Sequence, residues 1–407
     1  MFEQIQVDRI LYGKGENLLL QGDASQPQSC LAELAGTAQA VYLDPPFMTG
    51  DVYSRKRRFG MKGWRSGSPT IEVKAYEDRF QDRNAYLAML RGLIENAWLL
   101  LSPTGMLCLH LDWHASHLGR MLCDEIFGPD NFVNEIIWAY ESGGRAKNHF
   151  SRKHDSILMY AKSSAYTFHL DRVSLPRGET RHNHMKRSID EQGRPYRSIK
   201  VNGKEYRYYD DEPVYPGDVW TDIGFLQQRD PERTGFLTQK PLKLLERLLK
   251  PLVDPGDLVV DLCCGSGTAL AMAQTLGCRF LGMDISPDAL VVTQSRLVTD
   301  NLSCCPDCVL DDVPLEGNCI PEAGCIMLAG LPVHNELFPA FTDTLEPIER
   351  WAAGRIEGNV LHVEQTSQRA IRHPAIETMC MLSPGEAPIG IAVYDAAGTC
   401  RVYRWEE

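Results

Sequence analysis

Along the first 300 residues, short runs dense in apolar residues alternate with longer runs whose apolar positions return every three or four residues. The short runs predict strands at "NLLLQGD" (17–23), "AVYLDPP" (40–46), "GMLCLHLD" (105–112), "NEIIWAYES" (134–142), "DSILMYAKS" (155–163), "DLVVDLCC" (257–264) and "RFLGMDIS" (279–286). Of the longer runs, 85–101 is the clearest helix. Its Leu87, Leu90, Leu93, Ile94 and Ala97 share a face, and "LSPTG" (101–105) stops it with Pro and Gly. Such alternation predicts an α/β fold with a largely parallel sheet. The segments around Trp138 and Tyr160 predict an antiparallel pair joined by a long polar loop.

Two stretches break the rhythm. Residues 164–235 are polar and rich in Arg, Tyr and Gly, which predicts an inserted module and not a missing helix. From 303 onward Cys, Pro and acids dominate, with short strand-like pieces "GNVLHVEQ", "IGIAVYD" and "CRVYRW". The expected division is therefore 1–163, 164–235, 236–302 and an acidic, small α+β domain over 303–407.

The net charge of −12 is unevenly spread. No lysine follows Lys250, and acids outnumber arginines more than two to one beyond Asn301. Residues 144–210 are the reverse, with 15 Lys and Arg against 7 acids, interleaved with histidine and tyrosine. No apolar run approaches the roughly 20 residues of a membrane helix. "MFEQIQVDRI" lacks a signal-peptide pattern, so the 13 cysteines are expected to be reduced thiols of a cytoplasmic protein. Cys305, Cys308, Cys319 and Cys325 are too irregularly spaced for a zinc site, and no metal is expected.

"LVVDLCCGSGTALAMAQTLGCRFLGMDIS" (258–286) carries the strongest local signal. A buried strand ends at Asp261, a turn follows at Gly265-Ser266-Gly267, and a helix is expected from Thr268. Glycines there let backbone approach a ligand closely. A second strand ends at Asp284, placed for a pair of ribose hydroxyls. There is no lysine after "GSGT" and no third fingerprint glycine, which favours S-adenosylmethionine over ATP or NAD.

"YLDPPF" (42–47) pushes a carboxylate, two prolines and an aromatic out of a strand end together. With the glycine loop following it in sequence, the chain resembles the permuted (beta-class) amino-methylating DNA methyltransferases over about residues 12–300. "TQKPLKLLERLLK" (238–250) looks like the family's helix leading into the cofactor strand. "DLCCGSGT" departs from the family's more usual Asp-Pro-Phe-x-Gly-Ser-Gly at Leu262-Cys263, while Asp261 and Gly265 to Thr268 match. The resemblance implies a Rossmann-like, circularly permuted S-adenosylmethionine-dependent sheet. In such sheets ligands bind at the carboxyl ends of the strands.

On that resemblance Asp44 and Pro45 accept the two N–H groups of an exocyclic amine. Pro46 stiffens the backbone, and Phe47 stacks on a base taken out of the duplex. Asp23, Lys240, Asp261, Gly265, Ser266, Gly267, Thr268 and Asp284 are the expected cofactor residues, with Asp23 toward the adenine and Lys240 toward the carboxylate. The expected DNA contacts are Arg55, Lys56, Arg57 and Arg58 beside the catalytic loop. In the insert they are Arg181, Lys186, Arg187, Arg194, Arg197 and Lys200. An acid at position 44 resembles the adenine-N6 members, whereas cytosine-N4 members more often carry serine there. The expected activity is site-specific adenine-N6 methylation of double-stranded DNA. Cytosine N4 is the alternative, and a non-catalytic cofactor-binding recognition subunit is a second. A homodimer or a restriction partner subunit is left open.

Overall fold

The computed structural model describes residues 1–27, 29–58, 70–141, 146–175, 185–297, 301–306, 308–311, 313–320, 325–333, 345, 347–369 and 375–406. Its centre is a parallel sheet. From one side the strands run Asn301–Cys305, Asn17–Gln21, Arg279–Asp284, Leu258–Asp261, Ala38–Leu43 and Leu101–Leu111, each parallel to its neighbour. His154–Ala161 then pairs antiparallel with Leu101–Leu111, and Phe132–Ala139 antiparallel with His154–Ala161. The seven predicted strands are all present, including the antiparallel pair.

Alternation along these strands sends side chains to two separate cores. Ala40, Tyr42, Met106, Cys108 and Val259 face the layer containing the helices Leu242–Leu249 and Thr268–Thr275. Val41, Leu43, Leu107, Leu109 and Val260 face the helices Arg83–Leu100 and Ser116–Ile126. Helices on both faces explain why the strands are apolar almost throughout. Arg83–Leu100 begins two residues before the predicted start, because Asp82 caps it by accepting the Ala85 N–H at 2.8 Å. Tyr86 joins its buried face, together with Leu90, Leu93, Ile94 and Ala97.

Beyond 302, Glu316–Ile320, Cys325–Gly330 and Met379–Met381 form a separate antiparallel sheet, while the remaining strands extend the central one. Arg9–Gly13 pairs with Asn301–Cys305 and with Val360–Gln368. Ile348–Glu357, Ile389–Asp395 and Cys400–Trp405 follow, and Phe2–Ile5 closes that edge against Cys400–Trp405. Expected as α+β, this region has only strands among its described residues. Its central strands are buried on both faces, with Ala392 and Tyr394 in one core and Ile391 and Val393 in another. Within the insert, Lys186–Ile189, Pro195–Val201 and Lys204–Tyr209 form a separate three-stranded antiparallel sheet. Among the described residues no helix is long and apolar enough to cross a membrane.

Candidate active site

Five adjacent parallel strands each present an acid at or just beyond the carboxyl end: Asp23, Asp284, Asp261, Asp44 and Asp112. The first four line one cavity of about 790 Å³, together with Pro45, Pro46, Phe47, Lys240, Gly265, Ser266 and Thr268. The two motifs, more than 200 positions apart in sequence, thus share a single crevice.

The glycine bend is conformationally obligatory. Gly265 and Gly267 have φ of +49° and +70°, and a Cβ on Gly267 would lie 2.7 Å from the Thr293 side chain. Asp284 ties the bend to the next strand, its two oxygens accepting the Gly265 and Ser286 N–H groups at 2.8 Å each. Burial pushes the Asp284 carboxyl up to about 6, opposed by those backbone bonds and assisted by nearby Asp288. Asp261 accepts the Cys263 N–H at 3.1 Å. Burial raises its carboxyl well above the usual range, with Asp44 and Asp284 adding to the effect and the Cys263 bond and Lys240 opposing it. Asp23 accepts from the Ser25 N–H and hydroxyl at 2.9 and 2.7 Å. Ser266 Oγ lies 3.1 Å from Thr268 Oγ1, which donates to the Lys240 carbonyl at 3.2 Å.

Lys240 is thereby held beside Asp44. Its Nζ donates to Asp44 Oδ2 at 2.6 Å, while Asp44 Oδ1 is buried and has no hydrogen-bond partner among the described residues. Lys240 was expected at the cofactor carboxylate; the structure pairs it with the Asp44 carboxylate. The Pro46 carbonyl accepts from Tyr86 Oη at 3.0 Å. Phe47 lies over His110, with ring centroids 6.2 Å apart and planes 26° apart.

Several supporting residues escaped the sequence reading. Asp78 accepts the Met48 and Thr49 N–H groups at 2.7 and 3.0 Å and the Thr49 hydroxyl at 2.7 Å. These bonds hold Met48 at φ +63°, directly after Phe47. Beneath the loop a buried chain runs from Tyr42 Oη to His110 Nδ1 (2.8 Å), from His110 Nε2 to Asp155 Oδ2 (3.1 Å), and from Asp155 Oδ1 to Tyr140 Oη (2.9 Å). Burial alone would raise the Asp155 carboxyl, but the His110 bond and charge, with Lys240 and Tyr140, bring it below the usual range. A histidine inside the apolar run "GMLCLHLD" was the available signal, since a fully buried imidazole needs partners. Arg296, donating to Thr268 Oγ1 at 2.8 Å and pairing with Glu232 at 3.3 Å, left no such trace.

The expected DNA contacts fare differently. Arg55, Lys56, Arg57 and Arg58 lie on the strand Val52–Arg58, which pairs with Thr70–Glu77; their side chains are outside the described set. Arg181 and the Lys186 side chain are also outside it. Arg187, Arg194 and Arg197 are engaged by carboxylates: Arg187 with Asp210 at 2.8 Å, Arg194 with Asp211 at 2.9 Å, and Arg197 with Asp210 at 3.9 Å. Lys200 is exposed on Pro195–Val201.

The profile of the DNA methylase family matches residues 38–295, which contain both motifs and the insert. Type II methyltransferase M1.MboII of Moraxella bovis is 32% identical over 238 residues, covering 56% of this chain and 85% of that protein. DNA adenine methyltransferase YhdJ of Escherichia coli K12 is 26% identical over 295 residues, covering 70% and 84%. Among solved structures, the cytosine-N4-specific PvuII DNA methyltransferase aligns with a TM-score of 0.46 at 13% identity, over 74% of this chain and 92% of that one. A modification methylase of Thermus thermophilus complexed with S-adenosyl-L-methionine aligns at 0.42 and 20% identity, over 71% and 96%. With the profile spanning well over half its length, this chain belongs to the amino-methylating DNA methyltransferase family of the N6-adenine and N4-cytosine type, whose methyl donor is S-adenosylmethionine.

Proposed function

We propose that this enzyme methylates the N6 amine of adenine at a specific sequence in duplex DNA, with the target base turned out of the helix. The carrying observation is the state of Asp44. One of its oxygens is neutralised by Lys240, and the other is buried without a partner at the wall of the cavity. A buried carboxylate oxygen left unpaired is costly, and an amine N–H is the donor that satisfies it. An acid at this position also favours adenine, since the cytosine-N4 members resembled more often have serine there.

The residues present fit S-adenosylmethionine. The backbone bend brings Gly265, Ser266 and Thr268 to the cavity, and Asp284 and Asp23 offer carboxylate oxygens at the same wall. Asp23, Asp284 and the 265–268 bend would hold the nucleoside, with Asp261 shaping the wall behind it. When bound, the cofactor supplies an electrophilic methyl on sulfur.

The chain's own task is to make the amine a nucleophile. In the free base its lone pair is delocalised into the ring. Asp44 Oδ1 takes one N–H and the Pro45 carbonyl the other, which turns the nitrogen toward tetrahedral geometry and aims the lone pair at the methyl. This favours charge that develops only in the transition state. The nitrogen loses one proton as the N–C bond forms, and Asp44 is the adjacent acceptor. Phe47, braced on His110, provides the stacking face for the extruded base. The acidic strands beyond 302 suit protein contacts better than phosphates, such as a second copy or a restriction subunit.

Nucleoside analysis of DNA treated with the protein and its cofactor tests the base assignment. N6-methyladenine is the expected product; N4-methylcytosine alone would overturn it.

A further inference from the structure

Residues 140–141 and 146–153, the described part of the connection between Phe132–Ala139 and His154–Ala161, adjoin the edge of the sheet that carries Asp44. Leu101–Leu111 runs parallel to Ala38–Leu43 and the next two strands alternate, which sets Ala139 and His154 beside the end of Leu101–Leu111. On this loop Phe150 is 97% exposed, more than any other large apolar side chain among the described residues. Burial in the protein does not account for an aromatic in that position.

The base of the loop is anchored. The Arg152 guanidinium lies 3.7 Å from the Trp113 ring centroid, and Trp113 packs on His114 with centroids 3.5 Å apart. His114 is fixed in turn by Asp112, at 2.7 Å, at the end of the strand beside the one that carries Asp44. Among the described residues no carboxylate pairs with Lys147 or Arg152, in contrast to Arg187, Arg194 and Arg197 of the insert. Three strand spacings, about 14 Å, separate Ala38–Leu43 from Phe132–Ala139. The ends of this loop thus rise from the same edge of the sheet as Asp44.

We propose that Phe150 is the wedge that enters the duplex and fills the space vacated by the target base. The Trp113–Arg152 stack braces its loop, and Lys147 faces the backbone phosphates. The inference rests on the duplex-DNA reading above and goes beyond it by assigning the side chain that supports base extrusion. Extruding a base loses its stacking and pairing, and an inserted apolar side chain restores part of the lost contact.

The test uses the full-length protein, methyl-labelled cofactor and two oligonucleotide duplexes carrying the site mapped by sequencing modified DNA. In one duplex the target is normally paired; in the other an abasic nucleotide stands opposite it. Phe150→Ala is expected to lower transfer to the paired duplex at least tenfold and transfer to the abasic duplex less than threefold. Phe150→Trp is expected to retain most activity on both. Cofactor affinity, measured by calorimetry, should be unchanged in both variants. Wild-type rates for Phe150→Ala on the paired duplex, or equal losses on the two duplexes, would overturn the wedge while leaving the methyltransferase intact. Failure of the unaltered protein to label any DNA would remove the function itself and the wedge with it.

Discussion

Lys240 and Asp44, 196 positions apart, form a 2.6 Å ion pair in the wall of the crevice, and Asp44 Oδ1 is buried without a hydrogen-bond partner among the described residues. The pair fixes the rotation of the carboxylate, and its geometry is set from outside the catalytic loop: the Lys240 carbonyl is held by Thr268, and Thr268 by Arg296. A role in orienting Asp44 differs measurably from a role in holding cofactor. Lys240→Met is expected to lower kcat about 10- to 100-fold, the scale of one charged hydrogen bond. The cofactor Kd should stay within about threefold under the same assumption. Single-turnover rates and calorimetric titration separate the two; a large loss of cofactor affinity with unchanged kcat would return Lys240 to the cofactor.

Asp284 should make cofactor affinity depend on pH. Its carboxyl, ordinarily near 3.8, is raised by burial to about 6. The folded, cofactor-free protein therefore binds this proton more tightly than the unfolded chain. Asp284's contribution to stability is present at low pH and is lost as pH rises through about 6. Hydroxyls donating to the carboxylate favour its ionised form, so affinity should strengthen with rising pH up to that point and then level off. Below it, Kd should rise toward tenfold per pH unit, with proton release seen in buffers of different ionisation enthalpy. Asp284→Asn should flatten the profile.

Asp78 is the restraint on the turn after Phe47. Asp78→Ala would leave the Met48 and Thr49 N–H groups without their acceptor and free Met48 from its left-handed conformation. A loss of about 2–4 kcal/mol in unfolding free energy is expected in denaturant titration. A kcat reduction of about tenfold should accompany it as Phe47 loses its place.

Gly267→Ala tests the bend. The new Cβ must occupy space 2.7 Å from Thr293 at a backbone angle that L-residues avoid. The expected cost is about 1–3 kcal/mol. It should appear as weakened cofactor binding, with a smaller change in Tm.

The parallel sheet was legible because its strands are buried on both faces and therefore almost wholly apolar. Asp44 and the Gly265–Gly267 bend were legible because both sit where such strands end. The tail's place in the sheet was not legible, for a local reason. Runs such as "GNVLHVEQ" reveal a strand but not its neighbour, and the neighbour is Arg9–Gly13, some 350 residues earlier. In the basic insert the sequence showed the charges but not their pairing, in which Asp210 and Asp211 of "YYDDEP" bind Arg187, Arg194 and Arg197. Asp78, Tyr42 and Asp155 act through contacts that only the folded chain creates.

Transfer of label from methyl-labelled S-adenosylmethionine to DNA, compared between the unaltered protein and Asp44→Ala, addresses the shared crevice most directly. Cofactor Kd should be measured for both. The account expects Asp44→Ala to bind cofactor with nearly unchanged affinity and to lose label transfer by about a thousandfold or more, as befits removal of a group that acts on the transition state. Equal transfer by the two proteins would contradict it.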